Sequence, residues 1–169
     1  MYSKIIKTLI IAALIMANIG CDQVSKTLVR EHISYNEDIK FVHNLVTLTK
    51  VENTGAFLSL GAAMPKPLKM LLLNVLPFAV LLLGLGYVFS KKDMSKISRF
   101  AVCCMVGGGI GNIYDRLIYG SVTDFLHIDF GLFQTGIFNM ADVSIMVGVF
   151  TLATEAFLKR SDTPLRKMG

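Results

Sequence analysis

"IMANIGCDQVSK", residues 15–26, has two readings, and the choice between them decides the fold. In the first, an apolar run ends at a small residue and a cysteine, as in the signal segment of a lipoprotein. Lys4 and Lys7 would form the basic start, Leu9 to Ile15 the apolar middle, and Cys21 the modified residue. A soluble domain should then follow. In the second, the run is retained as a membrane span with Cys21 and Asp22 near its end. Asn18 argues for the second, because it stands where the lipoprotein box expects a branched aliphatic residue.

The downstream sequence argues the same way. Of 169 residues, 53% are hydrophobic and only 17% charged, and the mean hydropathy is +0.59. Soluble domains carry about 25% charged residues, so this is the composition of a membrane protein. The length suits one compact unit. The net charge of +5 does not point to nucleic acid, because the basic residues form short clusters beside apolar runs rather than a basic face. Cys103 and Cys104 are neighbours in an apolar run and read as small hydrophobic filler. Cys21 is alone, and His32, His43 and His127 are scattered, so no metal site is expected.

About 20 mostly apolar residues cross a bilayer. Four such stretches are expected, at about 5–28, 68–89, 100–118 and 137–158, with a kink at Pro77 in the second. Lys4 and Lys7, then Lys91, Lys92, Lys96 and Arg99, then Lys159, Arg160, Arg166 and Lys167 hold 10 of the 17 Lys and Arg residues. They alternate as four spans with both termini in the cytoplasm require. The outer side then holds residues 25–67 and 119–136. There "FVHNLVTLTKVENTGAFLSL", residues 41–60, reads as two or three short strands at the membrane surface. The fold class is an all-α membrane protein, four transmembrane helices with a small outer β-sheet cradle at about 39–62, in a single domain over 1–169.

Ionisable residues at membrane depth are costly and usually functional. Here they gather at one level, the outer ends of spans one, three and four. In "GGGIGNIYDRLIYGSVTDF", residues 107–125, the glycines do not follow a strand and read as close helix packing rather than a phosphate loop. Asn112, Asp115 and Arg116 share a helix face, and Asp115 either joins a site or only pairs with Arg116 or a lipid headgroup. In "SVTDFLHIDF", residues 121–130, alternation sets Asp124 among aliphatic and aromatic side chains, where desolvation would raise its pKa. His127 and Asp129 read as an ordinary solvated pair. In "FNMADVSI", residues 138–145, Asn139 and Asp142 either merely cap a helix or place a second carboxylate at the depth of the first. Two carboxylates in unlike surroundings suit acid–base chemistry: one takes a proton from water, the other polarises a carbonyl.

Four blocks carry a resemblance: "DQVSK" from Asp22, "ENTGAFLSL" from Glu52, "GNIYDRLIYGSVTDF" from Gly111 and "FNMADVSI" from Phe138. In these, and in their order, the chain resembles the lipoprotein signal peptidases, or signal peptidase II, of bacteria. The resemblance implies a multi-pass aspartic endopeptidase of the bacterial cytoplasmic (inner) membrane with its site near the outer face. It would cut prolipoproteins just before a diacylglyceryl-modified cysteine and be inhibited by the cyclic peptide globomycin. It implies Asp124 and Asp142 as the catalytic pair, with Asp22, Asn53, Asn112, Arg116 and Asn139 in support and Gly55, Asp115 and Ala141 as further binding or supporting positions. Its partners would be diacylglyceryl-modified prolipoproteins and membrane lipids. No metal or organic cofactor is implied, since hydrolysis needs only water. On this reading Asn112 and Asn139 orient the aspartates, Arg116 and Asn53 hold substrate oxygens, the cradle strands act as a lid or clamp, and Cys21 is neither lipidated nor cut.

Two other classes compete. A small transporter or proton channel also places aspartates in the membrane, but it predicts repeated halves with broken helices, which the sequence does not display. A scaffold whose Asn and Asp residues only join helices predicts that Asp124→Asn and Asp142→Asn are silent for catalysis while alanine changes affect folding.

Overall fold

The computed structural model describes residues 2–35, 37–56, 60–91 and 93–161. Lys92, Arg166 and Lys167 of the basic clusters, and residues 57–59 of the second block, lie outside the described residues. The element order is helix α1 (Tyr2–His32), strands β1 (Asp38–Phe41) and β2 (Val46–Asn53), helix α2 (Lys66–Ser90), helix α3 (Lys96–Tyr119), strand β3 (Val122–Ile128) and helix α4 (Met140–Ser161). The expected fold class is thus the observed one: four helices long and apolar enough to span a bilayer, with one small antiparallel sheet.

The helices show their apolar surface outward. Leu83 is 75% exposed and Phe157 71% exposed, as a lipid-facing surface requires and a soluble core forbids. Helix α1 runs unbroken through Cys21 and Asp22, so the first apolar run is a full helix rather than a short signal segment. In α2 a π-helical turn at Leu71–Val75 precedes Pro77. Proline has no N–H and its ring crowds the preceding turn, and the wider turn accommodates both defects. Ser95 caps α3 through its hydroxyl, 2.9 Å from Ser98 N, and Gly120 ends it at φ 77°.

Helix α3 is the hub, packed against the other three. Its glycines make that possible. A Cβ at Gly107 would lie 2.6 Å from Asn18 Cβ, and one at Gly108 would lie 2.4 Å from the Ala141 carbonyl oxygen. The small-residue reading of this run is therefore the structural one. One core cluster joins Ile11, Ile15, Val88, Cys103 and Val106 toward the lysine-rich end. A second joins Val29, Ile33 and Phe125 beneath the sheet.

The sheet has the order β1-β2-β3, antiparallel throughout. Strands β1 and β2 form a hairpin whose turn holds Val42, His43 and Asn44 at positive φ. Strand β2 pairs with β3 with a register shift between Leu48 and Val51. Two strands lie in or beside the 39–62 segment, within the two or three expected there, and the third comes from 122–128. This long-range pairing ties the C-terminal end of α3 to β2, and it sets Asp124 opposite Val51.

Candidate active site

The site forms where β3, the loop after β2 and the start of α4 meet the C-terminal ends of α1 and α3. Asp124 is 4% exposed and Asn139 0% exposed. Both Asp124 oxygens are occupied: Asn139 Nδ2 donates to Oδ1 at 2.6 Å, and Asn53 Nδ2 donates to Oδ2 at 2.9 Å. The expected setting of aliphatic and aromatic neighbours is corrected here. Alternation does keep Phe125 on the α1 side, but the chain folds two amides onto the Asp124 carboxylate. Burial still dominates over these hydrogen bonds, and with the nearby charge of Asp142 it pushes Asp124 up to about 6.

Asp142 lies in the first turn of α4. Its Oδ2 accepts from Asn139 N at 3.2 Å, while its own N–H donates to Asn139 Oδ1 at 3.0 Å. This reciprocal pair is a capping box, so the capping alternative describes the geometry but does not exhaust it. Asp142 Oδ1 also accepts from Asn112 Nδ2 at 2.9 Å, across from α3. Asn139 thereby touches both aspartates: its carbonyl oxygen holds Asp142 by the backbone, and its amide holds Asp124 by the carboxylate.

Behind Asn112 stands a cluster that the sequence reading did not assemble. Lys26, 0% exposed, donates to Asn112 Oδ1 at 2.9 Å and to Asp22 Oδ2 at 2.8 Å, and it lies 3.0 Å from Asp115 Oδ2. Arg30 is 2.9 Å from the same Asp115 oxygen. Gln23 spans Asp22 and Asp115. Asp22 Oδ1 accepts from the Ala141 N–H at 2.9 Å and pins the start of α4 to α1. Asp115 and Asp22 thus face this cluster rather than Asp124, and the local Asp115–Arg116 pair is not formed. The missed residues are Lys26, Gln23 and Arg30. Lys26 had a legible signal, four positions after Asp22 on one helix face and inside the "DQVSK" block.

Asn53, Gly55 and Arg116 fold the loop after β2 over the site. Gly55 N donates to Asn53 Oδ1 at 2.9 Å, and Asn53 Nδ2 donates to Ala56 O at 2.9 Å. Arg116 Nη2 donates to Gly55 O at 3.0 Å, while its Nε is buried with no hydrogen-bond partner. Both amide hydrogens of Asn53 are thereby used within the protein, which makes it a support for Asp124 rather than a free donor. His127 and Asp129 do not pair. Asp129 instead accepts from Gly131 N and Gln134 within its own loop. An apolar cavity of about 500 Å³ opens beside Asp142, running from Phe138 past Met146 and Val147 to Phe150 along α4.

Residues 14–158 match the family described as Signal peptidase (SPase) II. This chain belongs to that family. It is 37% identical over 130 residues to the lipoprotein signal peptidase of Treponema denticola, covering 74% of this chain and 75% of that protein. It is 36% identical over 151 residues to that of Borrelia duttonii, covering 85% and 88%. The fold is also that of a solved bacterial membrane enzyme, with a TM-score of 0.80 at 20% identity over 90% of each chain. As a signal peptidase II the protein is a multi-pass membrane peptidase of lipoprotein processing, and its substrates are prolipoproteins from which it removes the signal peptide.

Proposed function

We propose that this signal peptidase II is an aspartic endopeptidase in which Asp124 and Asp142 together activate water, and that it cuts just before a diacylglyceryl-modified cysteine. The observation that carries the reading is the double engagement of Asn139, whose side chain donates to the Asp124 carboxylate and accepts from the Asp142 backbone N–H, while its own N–H donates to the Asp142 carboxylate. The whole chain acts as one peptidase unit in the cytoplasmic membrane. Both termini face the cytoplasm, as the lysine and arginine clusters require, and the dyad lies near the outer face.

Asp124, which burial raises to about 6, takes the part of the proton donor. Asp142, fixed by Asn112 and the α4 N-terminus, acts as the base. Water attacks the scissile carbonyl carbon as Asp142 takes one of its protons and Asp124 gives its proton to the carbonyl oxygen. The tetrahedral diol then collapses: Asp124 takes a proton back from a hydroxyl, the C–N bond breaks, and Asp142 passes its proton to the leaving amine. Arg116, with Nε buried and unpaired, is placed to hold a substrate oxygen. The apolar cavity that begins at Asp142 suits the greasy parts of a lipid-modified chain. Globomycin inhibits by occupying this same space.

The test is cleavage of a diacylated prolipoprotein peptide by the purified protein in detergent, for wild type, Asp124→Asn and Asp142→Asn. Cleavage by wild type that both variants lose, at unchanged melting temperature, supports the dyad. Normal cutting by either variant removes that aspartate from the chemistry.

A further inference from the structure

A second cavity, of about 380 Å³, lies at the opposite, lysine-rich end of the bundle between α1 and α3. Lys7 from α1 and Lys96 and Arg99 from α3 stand at it. Ile10 and Leu14, one and two turns further along α1, form its apolar wall with Phe100. Ile10 is 52% and Phe100 41% exposed, so the groove opens to whatever surrounds the helices.

Its charges are uncompensated. Lys7 donates only to the Lys91 carbonyl oxygen, and Arg99 Nη2 only to the Met94 carbonyl oxygen. Neither they nor Lys96 meet a carboxylate among the described residues. Arg99 Nε is buried with no hydrogen-bond partner, a state that native proteins rarely leave unsatisfied. The groove therefore asks for one molecule with two properties: acceptor oxygens bearing negative charge at Lys7, Lys96 and Arg99, and a long apolar portion along Ile10 and Leu14. Basic pockets between membrane helices at the cytoplasmic surface take lipid headgroups for this reason.

We propose that this groove is a binding site for an anionic glycerophospholipid, with the phosphate at Lys7, Lys96 and Arg99 and an acyl chain along Ile10, Leu14 and Phe100. A bound lipid satisfies the Arg99 guanidinium and covers the apolar wall. It also fastens the inner end of α1 to α3, whose outer ends build the Lys26–Asn112 contact. The site is separate from the dyad and does not depend on the peptidase reading.

The full-length protein in detergent is mixed with phosphatidylglycerol or phosphatidylcholine of equal chain length, and bound lipid is counted by native mass spectrometry. Wild type is expected to retain phosphatidylglycerol selectively. Lys7→Gln/Arg99→Gln should weaken that binding about 30-fold. Lys66→Gln/Lys69→Gln, which removes two charges from the start of α2 and none from the groove, should bind as wild type. Phosphatidylglycerol should also raise the melting temperature of wild type and of this control, but not of the groove variant. Equal retention of both lipids by wild type, undiminished binding by the groove variant, or an equal loss in the control overturns the proposal. Displacement by glycerol 3-phosphate, which has no acyl chains, overturns it as well and leaves only a site for small anions.

Discussion

Lys26 Nζ and Asn112 Oδ1 are 2.9 Å apart, and that contact decides which end of the Asn112 amide faces Asp142. An ammonium only donates, so it holds the amide oxygen, and the amide nitrogen is left to point at Asp142 Oδ1. Charge deep in α1 thereby sets the donor on a carboxylate in α4.

Removing the donor alone is the first prediction. Asn112→Ala leaves Lys26 its two carboxylates but takes a hydrogen bond from the Asp142 carboxylate. Such bonds contribute about 1.5–3 kcal/mol, so kcat should fall about 10–100-fold with little change in KM. Steady-state kinetics on a diacylated peptide reads both. An unchanged kcat would remove the positioning role of Asn112.

Lys26→Met tests the cluster as a structure. Asp22, Lys26 and Asp115 are each 0% exposed. Breaking a buried ion pair from one side costs about 3–5 kcal/mol, because the partner charge is left unpaired. The variant should melt well below wild type. The double change Lys26→Met/Asp22→Asn, which also removes the carboxylate left without a cation while Asp115 keeps Arg30, should recover part of the loss.

The proton on Asp124 makes a pH prediction. Its folded pKa is raised from 3.8 to about 6, so the folded state binds more protons than the unfolded one between these values. Its contribution to stability is therefore present at low pH and is lost as pH rises through that window, by about 3 kcal/mol. Asp124→Asn carries no such loss, so its melting temperature relative to wild type should be higher at pH 7.5 than at pH 4. Wild-type cleavage should decline on the alkaline side with an apparent pKa near 6, a value belonging to the coupled pair. A rate that stays flat from pH 5 to pH 8 would contradict Asp124 as the proton donor.

Gly111→Ala should be disruptive although alanine favours helices. Its Cβ would lie 2.4 Å from Asp22 Oδ2, and overpacking of this kind costs about 1–3 kcal/mol. Gly20→Ala, with nothing within 4 Å, should be neutral or slightly stabilising. Melting of the two variants in parallel separates crowding from helix propensity.

Cys21 should be an ordinary helix residue. It is exposed and sits within α1, where the backbone is coiled rather than extended for a peptidase. A cut before it would also remove Ile11 and Ile15 from the core. Intact-mass measurement should show no lipid on Cys21 and no mature N-terminus there, and Cys21→Ser should keep full activity.

The four spans and the gathering of polar residues at one end of the bundle were legible because each is a local pattern. A run of about 20 apolar residues has few other uses, and an aspartate at that depth is costly enough to mark itself. The glycines of α3 were legible as packing residues for the same reason. Residue type and spacing alone carry that information.

What only the tertiary structure decided is which groups touch. The sequence placed β3 beside no particular strand, and its pairing with β2 is what brings Asn53 onto Asp124. It offered Asp115 the neighbour Arg116, whereas the fold gives Asp115 to Lys26 and Arg30 from another helix. It could not show that Asn139 serves both aspartates, because one contact is three residues away and the other fifteen. The reason is physical. Apolar periodicity depends on the bilayer, which every segment meets alone, whereas a buried polar group is satisfied only by a partner that chain packing delivers.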